Sequence, residues 1–267
     1  MKLKLWQIDA FAEKVFEGNP AAIVSLDHWL DNALMQRIAS ENNLAESAFI
    51  RREGYGRYGL RWFTPTVEVD LCGHATFASA WLLFAELDRE LDSVSFETRS
   101  GTLVVDRGAD GRHSMSLPSD IVAPLDEPHR ARDIGEVLGA VPPLELHTGR
   151  NILAVFDGAS AIRALKGPGE VARFIPADKG LIVTAKGDGG YDFISRYFAP
   201  HHGVAEDPVT GSAHCALTPF WAKRLGKKTL HARQVSPRGG DLQCADAGDR
   251  TILSGNCILY LRGEIEC

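Results

Sequence analysis

The sequence predicts an α+β protein built from two pseudo-equivalent halves, each a sheet curled around one buried helix. Three observations carry this. The chain resembles itself at half its length, short strand signals bounded by turn residues recur in both halves, and each half holds one helix whose apolar residues cover every face. In the first half Arg61-Trp62-Phe63-Thr64-Pro65 is followed by Gly73-His74-Ala75-Thr76 and an apolar stretch through Phe84. In the second, Arg196-Tyr197-Phe198-Ala199-Pro200 is followed by Gly211-Ser212-Ala213-His214 and an apolar stretch through Leu225. The arginines lie 135 residues apart and the glycines 138, so the second spacer is three residues longer.

In chain order, Met1 to Asp9 reads as a first strand, since the acid at position 9 interrupts what a secretory signal would continue. Residues around Leu30, Ala33, Leu34 and Ile38 keep one-sided helical spacing and predict an outer helix. Ala45–Ile50, Ser93–Glu97 and Leu181–Thr184 read as strands. Ala75, Phe77, Ala78 and Ala80 to Phe84 leave no polar face, so this helix needs cover on all sides. The Pro- and charge-rich stretch from Leu117 to Pro128 is the expected junction. It divides the chain into domains 1–120 and 121–267, with the last strand left free to cross back to the first.

Composition excludes several functions. The 35 Asp and Glu outnumber 29 Lys and Arg, and no basic stripe is offered to nucleic acid. No apolar run approaches the roughly 20 residues of a membrane span. Five cysteines without a C-x-x-C pair speak against a disulfide framework and suit a reducing cytoplasm. Gly54-Tyr55-Gly56-Arg57-Tyr58-Gly59 matches a dinucleotide fingerprint in letters, but a strand follows it instead of a helix, so it predicts a hairpin loop. Gly226-Lys227-Lys228-Thr229 follows a helix and reads as its C-terminus. His201, His202, Asp207, His214 and Cys215 crowd fifteen residues without metal-ligand spacing, so no metal is expected and His214 and Cys215 are read as core-lining.

Three places are candidates for chemistry. Gly73-His74 and Gly211-Ser212 open the two apolar helices, where free amides and the helix dipole suit an anion and glycine permits close approach. Glu46 shares a strand face with Ala48 and Ile50, surroundings that disfavour a charged carboxylate and suit a general acid/base. The competing reading puts Glu46 on an edge strand facing water. At an offset of 135 its counterpart is Leu181, so the halves are chemically unequal there. Asp207 and Asp70 precede the helix starts and also read as plain turn formers.

Phe16-Glu17-Gly18-Asn19-Pro20-Ala21-Ala22, Ala45-Glu46-Ser47-Ala48-Phe49, Cys72-Gly73-His74-Ala75-Thr76 and Glu206-Asp207-Pro208-Val209-Thr210-Gly211-Ser212-Ala213-His214 occur in one order along the chain. With them the sequence resembles the PhzF, or phenazine biosynthesis-like, family. The resemblance implies a diaminopimelate epimerase-like fold of two pseudo-symmetric domains, each a barrel-like, mostly antiparallel sheet around a central buried helix, with the active site in the cleft between them. It also implies a homodimer and a cofactor-independent isomerase acting on a small carboxylate-bearing metabolite. By motif, Glu46 would move the proton, His74 and Asp207 would orient or polarise the substrate, and Gly73, Gly211, Ser212 and Asn19 would bind it. Epimerases of this fold use a cysteine before each helix-start glycine, whereas here Cys72 precedes Gly73 and Thr210 precedes Gly211. The rivals are an epimerase using Glu46 and Cys72 as opposed bases, and a non-catalytic binder of small acids.

Overall fold

Alternation along the strands, with apolar residues on both faces, calls for helices on both sides of a sheet. The computed structural model describes residues 1–267, the side chain of His202 excepted. The chain divides into two units, Met1–Ser116 with Ser254–Cys267, and Leu117–Leu253.

Unit 1 holds strands β1 (Lys2–Ala10), β2 (Asn19–Leu26), β3 (Glu46–Gly54), β4 (Arg57–Phe63), β5 (Glu68–Val69), β6 (Ser93–Thr98) and β7 (Gly101–Arg107), with helices α1 (Asn32–Asn42) and α2 (Gly73–Leu82). Strand β8 (His113–Pro118) runs to the boundary of the units. The pairs β1–β2, β3–β4, β4–β5, β6–β7 and β7–β8 are antiparallel; β2–β3 and β4–β6 are parallel. The C-terminal strand, numbered below as β18, also pairs with β1.

Unit 2 holds β9 (Ala123–Pro124), α3 (Pro128–Val137), β10 (Glu145–Thr148), β11 (Ile152–Val155), α4 (Ala159–Ala164), β12 (Leu181–Lys186), β13 (Phe193–Ala199), β14 (Val204–Asp207), α5 (Gly211–Leu225), β15 (Thr229–Gln234) and β16 (Gly240–Asp246). Strand β17 (Arg250–Gly255) spans the boundary, and β18 (Cys257–Glu266) belongs to unit 1. The pairing of unit 1 recurs: β11–β12 and β13–β15 are parallel, β12–β13, β13–β14 and β15–β16 antiparallel.

The apolar helix α2 is buried over nearly its whole length and packs on β1, β2 and β3. A π-helical turn at Leu83–Leu87 ends it. On the opposite face of the sheet, α1 seals a core with Val24, Phe49 and Phe63; its buried residues are Met35, Ile38 and Ala39, and Leu30 lies before the helix begins. In unit 2, α4 packs on β12 and β13 while α5 packs on β15 and β16. The glycine pattern at 54–59 is a hairpin with Tyr55-Gly56 at its tip, and Gly226 closes α5 in the left-handed conformation. Among the described residues no helix is long and apolar enough to cross a membrane.

Strand register corrects the counterpart of Glu46. Arg61 pairs with Phe49 and Arg196 with Val183, so the strand equivalence runs at 134. Phe49 and Val183 both face their unit's outer core, which agrees with it. The position matching Glu46 is therefore Gly180, not Leu181. A side chain there has no room, because a Cβ on Gly180 would meet the Tyr197 hydroxyl at 2.3 Å. The halves remain chemically unequal, with a carboxylate in one and a glycine in the other.

Candidate active site

Glu46 begins β3, an interior strand between β2 and β4, and pairs with Ala21. With a period of two it shares the face of Ala48 and Ile50, opposite to Phe49, and that face is the one α2 packs against. The side chain is half-buried at 16% exposure. His74, in the first turn of α2, is buried and brings Nε2 to 3.2 Å from Glu46 Oε2, an ion-pair distance without the alignment of a full hydrogen bond.

The imidazole has a defined state. Burial lowers its pKa from 6.5 to about 3, so it is neutral near pH 7. The Asn19 side-chain amide donates to Nδ1 at 3.1 Å, and Cys72 Sγ lies 3.6 Å from the same nitrogen. An Nδ1 that accepts leaves the ring proton on Nε2, the nitrogen that lies 3.2 Å from the carboxylate. Asn19 reaches this position because Gly18 turns the chain at φ +70, where a Cβ would meet the Ala10 carbonyl oxygen at 2.3 Å. Glu46, Cys72 and His74 bring one donor atom each within 4.8 Å of one another.

The helix start itself is open. Cys72 is the N-cap of α2, in extended conformation, and no side chain caps the first amides. Its carbonyl instead accepts from the Thr76 amide at 3.2 Å and the Thr76 hydroxyl at 2.6 Å. The Gly73 amide therefore heads an uncapped helix N-terminus beside His74.

Unit 2 repeats the device with other residues. Thr210 is the N-cap of α5, again without a side-chain cap, because its hydroxyl donates to the Asp207 carboxylate. Buried Gln234 accepts from the Thr210 amide at 2.9 Å and donates to the Asp207 carbonyl at 2.6 Å, fixing the loop between them. Ser212 is exposed and Gly211 buried at the helix start. Asp207 pairs with Tyr197 as Val69 pairs with Trp62, so this carboxylate also has no twin.

The metal-like cluster of the sequence does not assemble among the described residues. His214 and Cys215 are buried, His201 Nε2 lies 3.0 Å from the Ala172 carbonyl oxygen, and His202 lies outside the described side chains. Sequence reasoning missed the partners that hold the helix starts. Arg61 makes a bidentate pair with Glu68 at 2.7 and 2.8 Å, and Arg196 makes the same pair with Glu206 at 2.7 and 2.8 Å. Glu68 and Glu206 are separated by 138, the glycine offset, which is the signal that could have revealed them.

Comparison with known proteins agrees with this architecture. The family model described as phenazine biosynthesis-like protein matches residues 8–263. An uncharacterized isomerase of Pseudomonas aeruginosa is 46% identical over 99% of both chains. The crystal structure of a PhzF-family protein of Enterococcus faecalis superposes with a TM-score of 0.92 at 38% identity over the whole of both chains. A hydroxyproline epimerase of Agrobacterium vitis, 11% identical, shares the fold with a TM-score of 0.59 over 99% of this chain and 92% of its own.

Proposed function

Since the chain belongs to the phenazine biosynthesis-like, or PhzC-PhzF, family, we propose that it is an isomerase that shifts a proton within a small carboxylate-bearing metabolite, with Glu46 as the single acid/base. The observation that carries the reading is the contact between Glu46 and a neutral His74 whose Nδ1 faces the Asn19 amide. In the carboxylate form Glu46 takes a proton from substrate carbon and returns it to another carbon. His74 Nε2, 3.2 Å away, is placed to steady the carboxylate. In unit 1 the uncapped amide at Gly73 is suited to bind an acid group and to receive charge as the C–H bond breaks, and in unit 2 the uncapped amide at Gly211 with the Ser212 hydroxyl is suited to bind an acid group. Asp207, held by Thr210, is suited to orient a polar substrate group. Nothing in this proton chemistry calls for a cofactor.

One distance weighs against stereoinversion by Glu46 and Cys72. Bases on opposite faces of a carbon, each about 3–3.5 Å from it, stand roughly 6–7 Å apart. Here the two groups lie within 4.8 Å of one another. Proton removal and return by one group fits that spacing.

The test is solvent exchange. Small acids that copurify with the protein are identified by mass spectrometry and incubated with it in deuterated water. The wild type is expected to incorporate deuterium or isomerise a substrate, and Glu46→Gln to keep its fold and lose at least about 10²-fold in rate. Turnover at the wild-type rate in Glu46→Gln would remove the assignment.

A further inference from the structure

We propose that Glu46, Cys72 and His74 also form a three-ligand site for a thiophilic divalent cation, with zinc as the type, and that an ion bound there switches the centre off. The binding of the ion does not require the isomerase reading; the switching off rests on it. The donor set is a carboxylate, a thiol and an imidazole, the ligand types of open zinc sites, and their atoms lie within 4.8 Å of one another. Cys72 Sγ and His74 Nδ1 are 3.6 Å apart. Metal–ligand lengths of about 2.3 and 2.0 Å at a tetrahedral angle place sulfur and nitrogen about 3.5 Å apart. Glu46 Oε2 is 3.2 Å from the other ring nitrogen. The thiol and the carboxylate face different nitrogens of the ring, and one ion binds only one of them, so an ion on Nδ1 meets Cys72 directly and Glu46 after a rotamer change of that half-buried side chain.

The backbone holds this set in place. Cys72 and His74 flank the first residue of α2, and Glu46 opens β3. Cys72 and His74 are buried, whereas Glu46 is 16% exposed, so solvent reaches the set from the carboxylate side. On binding, the thiol S–H bond breaks, its proton passes to solvent, and a sulfur–metal bond forms without change of oxidation state. Coordination through Nδ1 replaces the Asn19 amide hydrogen bond. A carboxylate bound to the ion cannot accept a substrate proton, so occupancy and turnover exclude each other. Among the described residues this is the group of at least three such side chains so placed.

Cobalt(II) titration of the metal-stripped, reduced protein tests the proposal without any substrate. The expected result is a near-ultraviolet thiolate-to-cobalt band saturating at one ion per chain, displaced by zinc, with about one proton released per ion in weak buffer. Cys267→Ser, which removes the exposed cysteine at the chain end, is expected to leave the band unchanged. Cys72→Ala is expected to abolish it, and His74→Gln to weaken binding by more than the roughly 10- to 100-fold that outer-shell partners command. Should Cys72→Ala fail to fold, zinc protection of Cys72 from iodoacetamide in the wild type, read by peptide mass spectrometry, answers the same question. A band that persists in Cys72→Ala, or unprotected Cys72 at saturating zinc, would overturn the proposal. Because the band is independent of turnover, its presence in a protein without isomerase activity would refute only the reaction.

Discussion

A histidine that titrated near pH 7 would make a poor partner for a carboxylate base, because its charge would change with the conditions under which it works. His74 avoids this by burial, and an Asn19 amide 3.1 Å from Nδ1 favours the proton on Nε2. Replacing Asn19 by Ala leaves Nδ1 to the Cys72 thiol and frees the ring to change tautomer. The expected outcome is a fall in kcat of roughly 10- to 100-fold, within the span of a positioned acid/base group, with the fold intact by circular dichroism. Asn19→Ser, which can still donate, is expected to recover part of the loss. An unchanged kcat in Asn19→Ala would detach Asn19 from the chemistry. Sequence reasoning could reach Glu46 through strand alternation and His74 through the helix start. Asn19 entered only through a motif, because the bond from the start of β2 to a helix residue 55 positions away has no local signature.

The duplication is most literal in the elements that lead into the two helices. In each unit an arginine on the second hairpin strand grips a glutamate on the short strand that follows, which sets where the helix can begin. Arg196 and Glu206 have side chains 7% and 12% exposed, and Arg196 also donates to the Leu165 carbonyl at 2.6 Å. Breaking one partner of so buried a pair leaves an uncompensated charge. Glu206→Gln is thus expected to lower unfolding stability by about 3 kcal/mol, measured by urea denaturation. Glu68 is as buried as Glu206, but its partners Arg61 and Arg99 are 18% and 52% exposed against 7% for Arg196, and Arg61 also donates to Asn32, so Glu68→Gln should cost less. Equal losses in the two variants would show that burial does not set the difference. The buried helices, the strands at Ala45–Ile50 and Leu181–Thr184 and the hairpin at Tyr55-Gly56 were legible from periodicity and turn chemistry. The counterpart of Glu46 was misplaced by one residue because Phe49 to Arg61 spans 12 residues and Val183 to Arg196 spans 13. A hairpin that lengthens by one residue leaves no mark in hydropathy.

Over the whole chain, three histidines share a condition that ties stability to pH. His74, His113 and His214 are buried, and burial lowers their pKa values from 6.5 to about 3, 4 and 4, with Arg107 adding repulsion at His113 and the Thr210 carbonyl partly opposing at His214. Folded, each stays neutral down to those values; unfolded, each takes up a proton below about 6.5. The unfolded state therefore binds more protons throughout that window, and stability must rise with pH across it. The contribution is complete above pH 6.5 and is lost progressively as pH falls towards 4 and then 3. With three groups the slope reaches at most about 4 kcal/mol per pH unit near pH 5. The carboxylates of Glu86 and Glu145, held down chiefly by Arg262 and Arg224, add to the loss only at lower pH. Urea unfolding at pH 7.5 and 5.0 is expected to show a clear drop in midpoint, with most of it arising below pH 6.5. His113, which stacks on Phe84 outside the proposed centre, offers a control: His113→Gln should reduce the pH slope by about one proton whatever it does to stability at pH 7.5. A midpoint that holds from pH 7.5 to 5.0 would mean that these imidazoles are hydrated and protonated in the folded chain, and the neutral His74 on which the proton-transfer geometry depends would go with them.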